Sequence, residues 1–343
     1  MGAFSFFSTL YWRCGKVIVI AALTLTLITT VCFAQTAVLK TTPTANYPDP
    51  TYFLDTDGIT PLGLAAYNGD TEAVRQLVEK GVDVNERMLG VTALWLAAGG
   101  IPRHDYEIAY YQRADAKTQS AHSEHLAALT RVLRYLIAHG ADVNAAPPNG
   151  TTPLMIAVQN GNLEGAAALL EHGAHVNAHS DMGDTPLSDA ASEGDPRLVG
   201  LLLDHGANVN GYKDGDVNGE TPLMRAIVSY EIVSLLIDHS ASINGIYKDT
   251  GESPLTRAAG MLNNKVVRVL IAHGADPNMH DRRGDTALVT AAAQGSKSMV
   301  QTLINAHADV NLRTSNGETA LEIALKLGRK DVADVLRLAG ARE

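Results

Sequence analysis

The chain has little cysteine. Only Cys14 and Cys32 occur among its 343 residues, and both precede Gln35. Four of the five phenylalanines and one of the two tryptophans also fall in that first stretch, which therefore differs in kind from the rest. From Gln35 onward no disulfide can form. Stability must then come from buried apolar surface.

Signatures of catalytic and metal sites are also missing. The sequence has no G-x-S-x-G, no phosphate loop of the Walker type and no H-E-x-x-H. His122 and His125 are three residues apart, which suits one helical face, but no spacing around them matches a known metal site. We therefore predict that the chain is not an enzyme and has no catalytic, cofactor-binding or metal-binding residues.

The first 34 residues carry an export pattern. Arg13 and Lys16 precede the uncharged apolar run 17–31, and small residues stand at the −3 and −1 positions before Gln35. This predicts a signal peptide over 1–34 and a periplasmic protein. The alternative is an uncleaved inner-membrane anchor facing the periplasm, for which the run is shorter than the roughly 20 residues that span a bilayer.

The charge balance is acidic. Removing residues 1–34 leaves 25 basic and 37 acidic residues and changes the formal charge from −10 to −12. Such a charge disfavours nucleic acid and anionic membranes and favours a basic or neutral protein partner, although solubility alone explains it equally well. We expect a monomer. The proline-rich stretch 35–54 predicts an extended leader.

The stretch 149–177, NGTTPLMIAVQNGNLEGAAALLEHGAHVN, is repeated along the chain. Its Asn-Gly suits a tight turn, its Thr-Pro suits a helix start, and Gly173 suits a helix end. The leucine of the T-[PA]-L triplet recurs at steps of 32, 60, 33, 36, 32, 33 and 33 residues. The eight leucines are Leu62, Leu94, Leu154, Leu187, Leu223, Leu255, Leu288 and Leu321.

These motifs, TPLGLAAYNGD…KGVDVN and DTPLSDAASEGD…HGANVN among them, resemble the ankyrin repeat family. The resemblance implies an all-α repeat solenoid over 55–343, with about eight repeats. Each would have a β-hairpin or turn and two antiparallel helices. The predicted repeats are 55–87, 87–144, 147–179, 180–212, 216–246, 248–280, 281–313 and 314–343. The family implies a concave protein-binding face. Resemblance to exported bacterial members of the family implies that the protein supports a periplasmic enzyme or acts as an immunity or accessory protein. The alternative is that it is a membrane-anchored structural spacer of the cell envelope.

Repeat 2 contains an insertion, 101–124, between its two helices. Tyr106, Tyr110 and Tyr111 make it the densest aromatic group after residue 34. We interpret it either as a loop packed on its own helix or as a partner-binding element. Ser120 or Ser123 would cap a second helix longer than those of the other repeats.

One template position defines the predicted binding face. The residue after each hairpin glycine is Ile59, Val91, Thr151, Asp184, Glu220, Glu252, Asp285 or Glu318. The apolar end is extended by Met88, Leu89 and Trp95, and the last five positions are acidic. We predict that these residues, Thr151 apart, and the insert tyrosines bind a protein. The alternative is a solvated acidic column, with Trp95 packed beneath the insert.

Two further positions of the repeat, both at the end of the second helix, recur along the chain. A histidine stands in the last turn of five second helices, where it complements the negative helix end: His139, His172, His205, His239 and His273. Ser240 and His307 replace the glycine that closes the other second helices, which predicts positive φ at both. Between the helices of repeat 6, Leu262 replaces the turn glycine. A two-residue deletion in repeat 5 predicts a local bend of the stack.

Overall fold

A threonine or serine begins every first helix in the computed structural model. The Thr152 hydroxyl, for example, accepts from the Met155 N–H at 3.3 Å. Such a cap satisfies an N–H that has no partner within the helix and contributes about 1 kcal/mol. The cap residues are Thr60, Thr92, Thr152, Thr185, Thr221, Ser253, Thr286 and Thr319.

The structure describes residues 60–88, 90–100, 116–212 and 220–342, with side chains from 122 onward in the helix that begins at 116. These residues belong to one compact unit. The predicted signal peptide, the leader, Ile59, Leu89 and the three insert tyrosines lie outside them.

The helices come in pairs, one pair to a repeat. In chain order they are α1 (Pro61–Tyr67) and α2 (Thr71–Glu79), α3 (Ala93–Ala97) and α4 (Ala116–Ala138), α5 (Pro153–Gln159) and α6 (Leu163–Glu171), α7 (Pro186–Glu193) and α8 (Pro196–Asp204), α9 (Pro222–Arg225) and α10 (Tyr230–Asp238), α11 (Pro254–Gly260) and α12 (Asn264–Ala272), α13 (Ala287–Gln294) and α14 (Lys297–Asn305), α15 (Ala320–Lys326) and α16 (Lys330–Leu338). This arrangement confirms the all-α repeat solenoid.

The pairs stack in sequence order. Each first helix contacts the first helix of the next repeat, from α1 to α15, and the second helices form a row behind them. The triplet leucines lie between the rows, and Leu154 and Leu169 of repeat 3 are fully buried. One apolar cluster runs through all eight repeats of the described chain. Stability is therefore shared between neighbouring repeats, as in other solenoids.

Strand structure is slight within the described residues. β1 (Arg87–Met88) and β2 (Val91–Thr92) form an antiparallel hairpin in which Arg87 is opposite Thr92. Isolated bridges join His280 to Thr286 and Arg313 to Thr319. At the other described hairpin positions the chain forms turns. A hairpin or a turn was predicted for each repeat, and the turn is the commoner of the two.

Two repeats depart from the template. In repeat 2, α4 is 23 residues long and begins at Ala116. The predicted start at Ser120 or Ser123 is therefore wrong, although a long helix that orders part of the insert is confirmed. In repeat 5, α9 has four residues and continues as a 3-10 helix, Ala226–Val228, which takes up the deletion in a tighter turn. None of the described helices has the length and apolarity to cross a membrane.

Asparagine side chains join each repeat to the next. The Asn144 side chain donates to the Gly173 carbonyl at 3.1 Å and accepts from the His175 N–H at 2.8 Å. Equivalent acceptor bonds are made by Asn85, Asn177, Asn210, Asn244, Asn278 and Asn311. These bonds satisfy backbone groups at the helix ends that would otherwise need water.

The residues that close the second helices have left-handed backbone. Gly173 has φ 86°, and Ser240 and His307 take the same conformation at φ 67° and 63°, which confirms the prediction of positive φ. Leu262, at the turn between the helices of repeat 6, also has positive φ, 55°. A side chain with a Cβ is strained there by about 1–2 kcal/mol. These three positions therefore store backbone strain that glycine would relieve.

Candidate functional site

Hairpin tips and first helices line one side of the stack. We call those of repeats 3 to 6 the groove face; it comprises residues 147–159, 180–193, 220–228 and 247–260. Backbone hydrogen bonds join adjacent tips. The Asp181 N–H donates to the Asn149 carbonyl at 3.0 Å, and the Arg282 N–H donates to Thr250 at 2.8 Å. These hydrogen bonds fix the positions of adjacent hairpin tips relative to each other before any partner binds.

The apolar end of the predicted binding face is largely internal. Met88 and Trp95 are only 7% and 6% exposed, and Val91 is partly buried. A Cβ at Gly63 would come within 2.2 Å of the Met88 methyl group, and a Cβ at Gly100 within 2.2 Å of the Trp95 ring. The Met88 side chain fills the space beside Gly63, and the Trp95 ring fills the space beside Gly100. The expectation that Met88 and Trp95 offer apolar surface to a partner is therefore wrong.

The Trp95 indole also has a structural partner. Its Nε1–H donates to the Thr151 carbonyl at 2.9 Å and so joins repeat 2 to the hairpin of repeat 3. A buried indole N–H costs free energy unless it is hydrogen-bonded, which this contact provides. The alternative prediction was that Trp95 packs beneath the insert. Most of the insert lies outside the described residues, so this prediction stays open.

The acidic column is paired with two arginines over three repeats. Asp184 pairs with Arg225, and Glu220 lies 3.5 Å from Arg225 Nε and 2.5 Å from Arg257 Nη1. Arg257 also pairs with Glu252 at 3.2 Å. We call these five residues the ion ladder. The alternative of a solvated acidic column does not describe its three carboxylates, because each faces an arginine.

Burial strengthens the ion ladder. The side chains of Arg225 and Glu220 are 12% and 13% exposed, so water screens them less than it screens surface pairs. Burial by itself would lower the pKa of Arg225, but Asp184, Glu220 and the nearby Asp189 outweigh it and raise the pKa above its ordinary value. Arg225 therefore stays charged and fixes carboxylates from two repeats.

The last two acidic positions have weaker partners. Asp285 lies 3.5 Å from Arg283 Nε, and burial raises its pKa, helped by neighbouring Asp281. Glu318 lies 3.0 Å from the Nζ of Lys326, whose side chain is mostly exposed. Exposed pairs of this kind contribute little to stability. The column is thus fixed in its middle and more solvated at its C-terminal end.

A small cavity opens on the groove face between repeats 3 and 4. Its volume is about 160 Å³, and Met155, Gln159, Met182, Asp184 and Asp189 line it together with the two hairpin tips. Met155 is buried and Met182 is 51% exposed. The cavity therefore has an apolar flank and a carboxylate wall.

Asp189 is the buried carboxylate of that wall. It is 7% exposed, and its Oδ2 accepts from Gln159 Nε2 at 3.0 Å. Burial raises the pKa of Asp189 from 3.8 to about 7; the Asp184 charge adds to the rise, while Arg225 and the Gln159 hydrogen bond oppose it. A carboxyl group that changes charge near neutral pH is more typical of a functional site than of a structural one.

The repeated histidines have backbone partners. The Nδ1 of His139, His172, His205, His239 and His273 lies 2.8–2.9 Å from the carbonyl oxygen four residues earlier. Since a carbonyl accepts, Nδ1 carries the proton and each ring closes its helix end, as the sequence predicts. In the described part of the chain, no group of three or more His, Cys, Asp or Glu side chains is placed to hold a metal ion.

Comparison with known proteins agrees with the stacked helix pairs. A family model described as ankyrin repeats (3 copies) matches residues 35–111, 124–213, 187–281 and 261–342. The chain belongs to the ankyrin repeat family. Its first match includes the stretch predicted as a leader, and the gap after 111 falls within the insertion of repeat 2.

Two solved ankyrin structures are similar. The human ASB11 ankyrin repeat domain is 27% identical at a TM-score of 0.55, over 67% of this chain and 100% of that one. The ankyrin repeat domain of Bcl-3, a member of the IkappaB protein family, is 27% identical at 0.52, over 63% and 95%. Comparison with curated protein sequences gives no match. Because ankyrin repeats are protein-interaction modules and generally not catalytic, the chain is assigned a non-enzymatic binding role.

The ankyrin hairpins of this chain lack the histidine that often follows T-P-L, and other side chains replace it. Ser188 and Glu322 stand at that position and each accepts from the N–H of its own cap residue, at 2.8 and 2.6 Å. Both form capping boxes. In repeat 2 the equivalent residue is Trp95, which reaches the next hairpin instead. Different repeats therefore hold their hairpins by different bonds.

Sequence reasoning missed three charged residues of the groove face: Asp189, Arg225 and Arg257. All three stand two residues after the triplet leucine. The equivalent residue is Leu64, Leu96, Ile156, Thr290 or Ile323 in the other repeats. An alignment of the repeats shows this signal, because a mostly apolar position carries a charge in three consecutive repeats. The column of hairpin residues taken alone does not contain this signal.

Proposed function

We propose that this ankyrin protein is a monomeric scaffold that holds a protein partner, with a basic contact surface, on its groove face. The observation that carries the proposal is the acidic excess beside the ion ladder, at the junction of repeats 3 and 4, where Asp181 and Asp189 stand next to Asp184. Arg225 and Arg257 fix carboxylates from repeats 4, 5 and 6 in one arrangement, so little side-chain freedom remains to be lost when a partner binds. Pre-organisation of this kind increases affinity without new contacts.

The proposed site of action is the periplasm, where the scaffold would support a periplasmic enzyme or serve as an immunity or accessory protein. The support is the export pattern of residues 1–34, in which Arg13 and Lys16 precede the apolar run. The second candidate is an envelope spacer held by the uncleaved segment. Osmotic-shock fractionation separates them, since the scaffold is released with the soluble proteins and the spacer stays with membranes.

Partner binding is tested by crosslinking capture from the native periplasm. Trp95 and Glu220 are poor sites for the test substitutions, because both are held within the fold. Asp181 and Asp249 are exposed residues of hairpin tips, and their replacement by lysine reverses charge on the groove face. The matched control replaces Glu171 and Asp204, exposed at the ends of α6 and α8, by lysine for the same change in net charge.

The two double variants give opposite expectations. One protein captured by wild type and by the Glu171→Lys, Asp204→Lys control, but lost with Asp181→Lys, Asp249→Lys, would place binding on the groove face. Equal capture by all three would place it elsewhere and contradict the proposal. Light scattering on the captured complex gives the stoichiometry, for which we expect one scaffold to one partner.

A further inference from the structure

The cavity between repeats 3 and 4 has the size of one side chain. Its volume of about 160 Å³ is that of about five waters in the liquid, and lies below the roughly 300–1,000 Å³ of small-molecule sites. Its mouth lies on the groove face, between the hairpin tips that carry Asn149 and Asp181. A group that protrudes from a partner surface can therefore enter it, whereas a cofactor cannot.

Asp189 points to the chemistry of that group. The carboxylate is more than nine-tenths buried and lines the cavity. Only one of its oxygens, Oδ2, receives a hydrogen bond from the described part of the chain, and Gln159 supplies it. A carboxylate accepts about four hydrogen bonds, so Asp189 keeps acceptor capacity that a donor inside the cavity can use. The geometry leaves room for one further donor inside the cavity.

The charges around the cavity favour a cation as that donor. Asp184 and Asp189 line it, and Asp181 stands exposed at its rim. Arg225, which opposes this charge from repeat 5, is engaged by Asp184 and Glu220 of the ion ladder. Carboxylates therefore outnumber cations among the described residues at this point, and a bound positive charge would relieve their mutual repulsion.

We propose that this cavity binds the ammonium end of a lysine side chain presented by the protein partner. The inference rests on the proposed function. Met155 and Met182 would flank the methylene stem, a contact that flexible thioether side chains make well. A lysine suits the cavity better than an arginine, because its ammonium group is a compact point charge whereas a guanidinium is a wider planar fork, and the cavity holds only about 160 Å³.

The test is a titration of the full chain labelled at its methionine methyl groups, followed by NMR. The probe is N-acetyl-lysine methylamide, and its neutral counterpart is N-acetyl-norleucine methylamide, which has the same stem without the ammonium group. We expect saturable shifts of Met155 and Met182 with a dissociation constant on the order of millimolar for the lysine probe. The norleucine probe should give none.

Variants locate the binding group. Asp189→Asn keeps an acceptor for Gln159 and should weaken the lysine probe by about tenfold or more. Asp204→Asn removes an exposed carboxylate of α8 and should change nothing. Equal responses to the lysine and norleucine probes, no saturable shift at Met155 and Met182, or full binding by Asp189→Asn would each overturn the proposal. Binding of 1,5-diaminopentane at least tenfold more tightly than the lysine probe would reassign the cavity to a free diamine.

The outcome separates this inference from the broader function. A partner captured equally by wild type and by Asp189→Asn would leave the scaffold role intact and overturn the lysine site. Saturable lysine binding at the cavity in a chain that captures no partner would support the site and contradict the scaffold role.

Discussion

Replacement of Asp189 by asparagine should make the protein more stable at neutral and alkaline pH. The change keeps an oxygen that accepts from Gln159 Nε2 and removes the buried charge. In the folded chain the pKa of Asp189 is raised to about 7, while an ordinary aspartate has 3.8. The folded state therefore binds a proton that the unfolded state releases between these two values.

The sign and size follow from linkage. Between about pH 4 and pH 7 the folded chain holds more protons than the unfolded chain at this group, so the contribution of Asp189 to wild-type stability falls by about 1.4 kcal/mol for each pH unit. The stability contributed by the protonated carboxyl is complete below the unfolded pKa and is lost as pH rises through the folded one. Over about three units the loss is roughly 4 kcal/mol, and Asp189→Asn does not suffer it.

The assay is urea unfolding of wild type and variant at about pH 4, pH 6 and pH 8, because the difference between the two cancels the titration of all other groups. The stability difference should grow in favour of Asp189→Asn as pH rises and level off above about pH 8. Asp204→Asn, an exposed control, should follow wild type. Parallel curves for wild type and Asp189→Asn would refute the argument that burial controls this carboxyl.

Backbone strain, ion pairing and the buried indole each give a further measurable change in stability. Gly206 has φ 82° and a Cβ there would meet no atom within 4 Å, so Gly206→Ala should cost about 1 kcal/mol from backbone strain alone. Ser240→Gly, the reverse change, should raise the melting temperature by about 2 °C, and an unchanged or lower value would contradict it. Glu220→Gln should cost about 2 kcal/mol in urea unfolding, because Arg225 and Arg257 lose a buried partner; no change would make the pair equivalent to an exposed one. Trp95→Phe should cost about 1–2 kcal/mol by leaving the Thr151 carbonyl without its donor, and a smaller loss would show that water replaces the indole.

The repeat period and the resemblance of the repeated motifs to the ankyrin family together predicted the fold. Leucines at a fixed step, glycines at helix ends and threonine caps are local features, and each repeat restates them. The positive φ at Ser240 and His307 was predicted from the same alignment of the repeats. The residue that closes each second helix adopts the left-handed backbone conformation, whichever side chain it carries. Local features of this kind can be predicted from one sequence, since the residues that determine them are neighbours in it.

Exposure and pairing depended on contacts between repeats. Trp95 was predicted to extend the apolar end of the binding face, but the ring fills space beside Gly100, where a Cβ would come within 2.2 Å of it. Glu220 was predicted to bind a partner, and its pairing was not foreseen because Arg257 stands 37 residues later and in a different column of the repeat. Neither relation can be seen along one column, so the candidate binding residues were less predictable than the fold.

The ion ladder changes where negative charge is available on the groove face. Arg225 and Arg257 are shared among the carboxylates of repeats 4, 5 and 6, so the acidic residues after each hairpin no longer form a uniform stripe. The excess that remains lies at the junction of repeats 3 and 4, where Asp181 and Asp189 add to Asp184. A basic partner would then be recognised at one place and not along the whole column. For the same reason, charge reversal within the ladder tests folding, whereas reversal at Asp181 tests binding.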